Sequence, residues 1–283
     1  SSGAPRTCAS TSASIPNGIP NALDTPEELH GFVCEVARRA GELQLSRYED
    51  PGEVKQKAPK DFVTEVDLLC ERLMVDAITE RYPDDAILSE EQGGSVSETG
   101  RTWLLDPVDG TANFMKANPM FCACVSVVEG GKVTHAAVAA PRLGDLYHAR
   151  LGDGAYRETG GVRTPLRVSD TEKLEYGIVG ADLSLYGGKP QDPGVEEVLF
   201  GAWQLRALGS AGIRGAWIAA GYLDVSIGTR NTAWDYAPTV LLVSEAGGRA
   251  TDLSGEPWSL SSRGLIATNA ALHQEVLAVL NRA

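Results

Sequence analysis

The stretch Trp103-Leu104-Leu105-Asp106-Pro107-Val108-Asp109-Gly110-Thr111-Ala112-Asn113-Phe114 runs an apolar segment straight into two aspartates. Like charges held that close raise each other's pKa unless a cation sits between them. Three more acidic groups stand at the ends of apolar elements: Thr64-Glu65-Val66-Asp67, Ser89-Glu90-Glu91 and Thr232-Ala233-Trp234-Asp235. Element ends are where a rigid scaffold aims side chains into a shared cleft. Hard divalent ions such as Mg²⁺ take oxygen ligands, usually one or two carboxylates each together with phosphate and water. Two or three such ions would balance these carboxylates and attract a phosphate ester.

Each cluster also has a local explanation. Asp67 completes a capping box with Thr64, Asp235 suits the first turn of a helix, and Glu90-Glu91 before Gly93-Gly94 suits a solvated turn. Asp106-Pro107-Val108-Asp109 is not an ordinary turn composition at a strand end, and four coincidences would be needed to explain all the groups away. The chain holds no G-x-x-x-x-G-K-[ST] phosphate loop. It also has no covalent nucleophile set beside a base. The four histidines, His30, His135, His148 and His273, fall in no motif and are expected to be structural or exposed.

The elements that must carry these groups follow from periodicity. Thr25 as N-cap, Pro26 in the first turn and Glu28 closing a capping box start a helix expected to reach about Tyr48. A loop or hairpin over residues 49–67 leads to a second helix over about Glu65 to Arg81. Short strands are expected at Ala86-Ile87-Leu88 and Trp103-Leu104-Leu105. A hairpin is expected around Glu129-Gly130-Gly131-Lys132, then a meander to Val168. Beyond it, strands alternate with helices at Pro193 to Trp203, at the small residues after Leu208, at Asp235 to Ala246 and at Ala271 to Asn281. Helices, then antiparallel strands, then an alternating half argue for a layered α/β sandwich. The expected organisation is a flexible arm over residues 1–22 and a catalytic domain over 23–283, with subdomains at about 23–175 and 176–283.

The formal net charge of −13 disfavours nucleic acid and anionic membrane surfaces as partners, so a site for an anionic substrate has to supply its own cations. No apolar run is long enough to span a membrane, and the N-terminal residues lack the features of a secretory signal. Five scattered cysteines without a C-x-x-C pair read as buried, reduced thiols in a cytoplasmic protein, with Cys122 and Cys124 on one face of a strand.

With these residues in view, the chain resembles the inositol monophosphatase family of Mg²⁺-dependent, lithium-sensitive phosphatases. The resemblance rests on Asp61-Phe62-Val63-Thr64-Glu65-Val66-Asp67, the Glu90-Glu91 pair, the Asp106 to Phe114 motif, and Trp234-Asp235 followed by Glu245-Ala246-Gly247-Gly248. It covers roughly Leu29 to Leu280. It implies a five-layered αβαβα fold, usually a homodimer. It implies Glu90, Asp106, the Val108 carbonyl, Asp109 and Asp235 as metal ligands, and Thr111 with Asp67 holding the attacking water, with Glu90 or Asp67 as base. The Gly110 and Thr111 amides, with Asp109 beside them, would cradle phosphate, and Gly209, Ser210 and Ala211 would contact the alcohol.

Two departures stand out. The family's inositol phosphatases usually carry an inositol-binding glutamate seven residues before the aspartate matching Asp235, and here that position is Gly228, with Arg230 nearby as a possible anion partner. Ser89 also replaces a common glycine, a change expected to matter little. The expected substrate is a small polar alcohol phosphate, of the inositol 1-phosphate or histidinol phosphate type. The alternatives are a sugar bisphosphate, a 3′,5′-bisphosphate nucleotide, or a non-catalytic phosphometabolite-binding role.

Overall fold

The computed structural model describes residues 24–181, 193–229 and 232–282; the N-terminal arm and Arg230 lie outside the described residues. Helices α1 (Pro26–Ser46) and α2 (Glu65–Arg81) flank a hairpin of β1 (Val54–Ala58) and β2 (Asp61–Thr64). Both expected capping boxes form, Thr25 with Glu28 and Thr64 with Asp67. Helix α1 ends before Tyr48 because Arg47 leaves helical geometry and Glu49 turns the chain at φ 71°.

Strands β3 (Ala86–Ser89), β4 (Gly93–Gly94), β5 (Thr102–Asp109), β6 (Cys122–Glu129), β7 (Lys132–Ala140), β8 (Asp145–Arg150), β9 (Gly154–Thr159) and β10 (Val162–Pro165) form one sheet, with a short helix α3 (Thr111–Met115) between β5 and β6. The order is β10-β9-β8-β7-β6-β5-β3-β4, so the Asp106 motif ends a strand well inside the sheet. The β6–β7 hairpin turns at Gly130-Gly131, where the sequence signal lies.

The second sheet holds β11 (Ile178–Ala181), β12 (Gln204–Arg206), β13 (Val225–Gly228), β14 (Arg249–Thr251) and β15 (Leu265–Thr268), in the order β12-β11-β13-β15-β14. Its helices are α4 (Pro193–Gly201), α5 (Ala211–Ala219), α6 (Ala233–Glu245) and α7 (His273–Leu280). Helix α4 stops short of Trp203, and the next residues form β12 against β11 instead.

Strand alternation accounts for the layering. On the large sheet Trp103, Leu105, Ala123 and Val125 pack with α1 and α2 residues such as Val33, Ala37, Cys70 and Met74. Leu104, Cys122 and Cys124 face the other way and pack with Ile213 and Ala216 of α5 and Ala237 and Leu241 of α6. Leu265 and Ala267 of β15 close that same core from the second sheet. Val225, Ile227 and Ile266 point onward to Val198 of α4 and Val276 of α7. Three cores between five layers make this a mixed α/β αβαβα sandwich. Every residue of β5 is buried, as a strand covered on both faces must be.

Candidate active site

The site is built where β5 ends. The β5–β6 register slips between Asp106 and Asp109, so Pro107 and Val108 bulge out of the ladder and both aspartates turn inward. Asp106 Oδ1 accepts the Val108 amide at 3.0 Å, closing the bulge on itself. Gln44 of α1 donates Nε2–H to the Pro107 carbonyl at 2.7 Å and bolts the bulge from behind. Gly110 then takes φ 95°, and a Cβ there would lie 2.8 Å from the Met120 carbonyl, so only glycine fits. Asn113 Nδ2 donates to the carbonyls of Met120 (2.6 Å) and Leu208 (2.8 Å), which holds α3 against the Leu208–Ser210 turn.

Asp106, Asp109 and Asp235 offer carboxylate oxygens that lie within 4.8 Å of one another. Burial, reinforced by Glu90, Asp109 and Asp235, raises the Asp106 pKa well above the carboxylate range. Glu90 is pushed up to about 8, first by burial and then by Asp235, with Lys57 pulling the other way. Buried oxygen donors that repel one another suit a hard divalent cation and suit little else. The two motifs separated by more than a hundred residues of sequence therefore do converge.

Thr111 and Asp67 also meet. The Thr111 hydroxyl lies 3.0 Å from Asp67 Oδ1 and 3.1 Å from the Val108 carbonyl, while Asp67 Oδ2 accepts the Thr64 amide at 3.0 Å. One oxygen of Asp67 caps α2 and the other reaches the site, so the capping and site readings of this residue are compatible. Burial raises its pKa, against the pull of the Thr64 and Thr111 hydrogen bonds.

Asp109 joins the two halves of the chain. Its Oδ1 accepts the Ala211 amide at 3.0 Å and its Oδ2 accepts the Gly212 amide at 2.7 Å and the Ser210 hydroxyl, all at the start of α5. Cys122 Sγ adds a longer contact at 3.2 Å, and Cys122 and Cys124 do share a face, their sulfurs 3.8 Å apart. Gly212 lies too close to both sulfurs for any Cβ. Ser210 thus spends its hydroxyl on Asp109 and on capping the Ile213 amide, leaving the exposed Gly209, at φ 69°, as the part of this turn that faces outward.

Three contributors carried no signal that the sequence reading caught. Glu71, fully buried on α2, accepts the amides of Glu91 (3.2 Å) and Gln92 (3.0 Å) and the Ser89 hydroxyl. It shapes the loop that presents Glu90, and Ser89 is part of that hold, contrary to the expectation that its replacement of glycine matters little. Lys57 Nζ lies 2.8 Å from Glu91 and 3.4 Å from Glu90. Those carboxylates raise its pKa although burial works against them. Gln44 is the third. The available cue was a polar residue on an otherwise apolar helical face, Ala37-Ala40-Gln44 on α1 and Asp67-Cys70-Glu71-Met74 on α2.

Gly228 is buried at the end of β13, and a Cβ there would lie 2.3 Å from Tyr236 Oη and 2.6 Å from its Cζ. The volume that a side chain at 228 would enter is occupied by the tyrosine that follows Asp235. Arg230 lies outside the described residues.

The carboxylate cluster, the Thr111–Asp67 pair and the layered fold together define a class that the comparisons name. The chain belongs to the inositol monophosphatase family, whose sequence profile matches residues 25–283. It is 34% identical over 253 residues to the fructose-1,6-bisphosphatase/inositol-1-monophosphatase of Thermotoga maritima, covering 88% of this chain and 94% of the relative. It is 34% identical over 255 residues to the histidinol-phosphatase of Mycobacterium tuberculosis, covering 88% and 96%. The solved Thermotoga maritima IMPase superposes with a TM-score of 0.79 at 33% identity, covering 89% of this chain and 96% of that one. The chain is a phosphatase of a generally metal-dependent family, and no helix among the described residues is long and apolar enough to cross a membrane.

Proposed function

We propose that this chain is a Mg²⁺-dependent phosphomonoesterase that hydrolyses a small polar alcohol phosphate, of the histidinol phosphate or inositol 1-phosphate type, by direct attack of water. The observation that carries the reading is the convergence of buried Asp106 and Asp109 with half-buried Asp235, beside a Glu90 pushed up to about 8. Glu90, Asp106, the Val108 carbonyl, Asp109 and Asp235 are the groups that would hold two or three ions. Asp109 Oδ1 carries a single hydrogen bond from α5 and keeps lone-pair capacity for a cation. Ions bound there supply charge balance, Lewis acidity and water of lowered pKa.

The protein's own part is to place water and ester and to accept a proton. Thr111 donates its hydrogen to Asp67 Oδ1, which leaves Thr111 lone pairs to receive a hydrogen from the attacking water. Asp67, its pKa raised by burial, is a better proton acceptor than an exposed aspartate. The Gly110 and Thr111 amides are the phosphate cradle in this reading, and Gly209, the outward-facing residue of the Gly209 to Ala211 turn, is the wall against the alcohol. Direct attack is supported by the state of Cys122, the nearby thiol. Burial raises its pKa, the opposite of an activated nucleophile.

Gly228 bears on the alcohol. With Tyr236 filling the space beside it, position 228 offers no carboxylate to sugar or inositol hydroxyls, which favours a substrate that does not depend on that grip. The test is phosphate release from histidinol phosphate, inositol 1-phosphate, fructose 1,6-bisphosphate and adenosine 3′,5′-bisphosphate, with Mg²⁺, with EDTA and with added Li⁺. Mg²⁺-dependent turnover concentrated on a monophosphate is the expected result. Preference for fructose 1,6-bisphosphate moves the reading to the first activity in the name of the Thermotoga relative, and preference for adenosine 3′,5′-bisphosphate moves it to a nucleotide phosphatase. Absence of turnover on all four would sink the monoesterase reading in favour of a binding role.

A further inference from the structure

A second set of ligand-type side chains lies on α1 and β8, three strands across the large sheet from β5. His30 and Cys34 are one helical turn apart on α1, so they share a face, and His148 of β8 meets them from the sheet. His30 Nε2 is 2.9 Å from His148 Nδ1 and 3.7 Å from Cys34 Sγ, and one ligand atom from each of the three residues lies within 4.8 Å of the others. Tetrahedral Zn²⁺ with Zn–N near 2.0–2.1 Å and Zn–S near 2.3 Å places nitrogens about 3.3 Å apart and nitrogen about 3.6 Å from sulfur. The His30–Cys34 spacing already matches, while the two imidazoles need to part by about 0.4 Å.

The surroundings fit a metal centre as well. The other nitrogen of His148, Nε2, lies 3.4 Å from Glu158 Oε1, near enough for the carboxylate to orient a ligating imidazole, although the two make no hydrogen bond as they stand. His30 Nδ1 and His148 Nε2 are buried without hydrogen-bond partners among the described residues. Both are the ring nitrogens turned away from the proposed donor atoms, so each can carry the N–H of a neutral, ligating imidazole. A cavity of about 310 Å³ opens onto all three side chains, room for a fourth ligand from solvent. Its arginines are already matched: Arg38 to Glu158 at 3.0 Å, Arg150 to Glu27 at 2.9 Å, and Arg163 to Asp153 at 3.8 Å. An added dication therefore meets no unpaired positive charge there.

We propose that His30 Nε2, Cys34 Sγ and His148 Nδ1 bind a Zn²⁺-class ion with one open, solvent-facing position, at a site separate from the carboxylate cluster. The donors are soft nitrogen and sulfur, where the phosphatase site offers only hard oxygen, so the two sites select different metals. Binding releases the Cys34 thiol proton to solvent and leaves a thiolate on the ion. The ion pins the first half of α1 to β8, and α1 is the helix whose Gln44 holds the Pro107 carbonyl.

The test uses Co²⁺ as a spectroscopic probe on the full chain, stripped with EDTA and desalted. Co²⁺ at an all-oxygen site gives no thiolate-to-metal charge-transfer absorption, whereas this site does. One equivalent of Co²⁺ is expected to raise that band with intense tetrahedral d–d bands, and one equivalent of Zn²⁺ to remove both. Cys34→Ser should abolish the charge-transfer band, His148→Gln should weaken Co²⁺ affinity at least tenfold, and Glu158→Gln should weaken it by roughly tenfold to a hundredfold. Cys122→Ser controls for the other sulfur group, Asp109 with Cys122 and Cys124, and should leave the band intact. A stripped protein that gives no band, or a band that survives Cys34→Ser and disappears in Cys122→Ser, overturns the proposal. Should Cys34→Ser fail to fold by circular dichroism, His30→Gln answers the same question, since loss of tetrahedral coordination is read in the d–d bands. The outcome is independent of phosphatase activity.

Discussion

Glu90 keeps its proton to about pH 8 in the metal-free fold, while in the unfolded chain it ionises near 4.5. Between those values the unfolded chain has released a proton that the folded one retains, so rising pH favours unfolding. The thermal midpoint of EDTA-treated protein should therefore fall from pH 5 to pH 8. Saturating Mg²⁺ should remove the fall, and Glu90→Gln should make it shallower without metal, the remainder coming from Asp106 and Asp67. A flat profile in the EDTA-treated wild type would remove the electrostatic argument for the cluster. Gln44 and Glu71 belong at this scale too, since each touches only the backbone or hydroxyl of a loop that carries site groups. Gln44→Leu and Glu71→Gln should lower kcat about tenfold to a hundredfold, with KM little changed, and steady-state kinetics on the preferred ester decides it. Asp106, Asp109, Thr111 and Asp235 were legible because each sits in a short motif whose chemistry is local. Gln44 and Glu71 were not, because what they hold lies across the fold, and a polar residue on an apolar helical face does not tell which backbone it will meet. The Gly228 departure was visible, but its physical cause, a tyrosine ring from the next helix, was not.

Among the elements, the bounds of α2 and the β6–β7 turn were legible because capping and turn residues act within a few positions. The exposed edge strand β12 was not, since none of its three residues is buried and no alternating pattern betrays it. The weak point that this scale exposes is the joint between β5 and α3. Gly110→Ala should destabilise the protein by about 1–3 kcal/mol, because it forces a Cβ into left-handed backbone against the Met120 carbonyl. Denaturant titration would measure it, and a neutral result would mean the β5–α3 turn relaxes freely. Gly228→Glu makes a different demand. The new side chain must displace the buried Tyr236, so a loss of about 1–3 kcal/mol is expected, together with no gain in turnover of inositol 1-phosphate. Improved inositol phosphate hydrolysis in that variant would show that the tyrosine swings aside.

For the molecule as a whole, the five layers matter because the site groups arrive from three of them. Asp67 comes from the outer helices, Asp106 and Asp109 from the large sheet, and Asp235 from the central helices. The sheet order was beyond reach of the sequence because register between distant strands is decided by packing of their faces, as the split of Leu104 and Leu105 between two cores illustrates. Removing divalent metal should abolish phosphatase activity and lower the melting temperature together, since the same carboxylates sit where the layers meet. Loss of activity with an unchanged melting temperature would place the ions outside the buried cluster.

The dispersal of these carboxylates along the chain also sets an order of events during synthesis. A ribosome delivers Asp106 and Asp109 more than a hundred residues before Asp235, an interval on the order of ten seconds at roughly 5–20 residues per second. Through most of that interval the Asp109 carboxylate also lacks the α5 amides that hold it in the finished fold. A nascent chain stopped before α6 should therefore have a sheet without a competent Mg²⁺ site, and ribosome-bound chains of increasing length should gain high Mg²⁺ affinity only after α6 has cleared the exit tunnel.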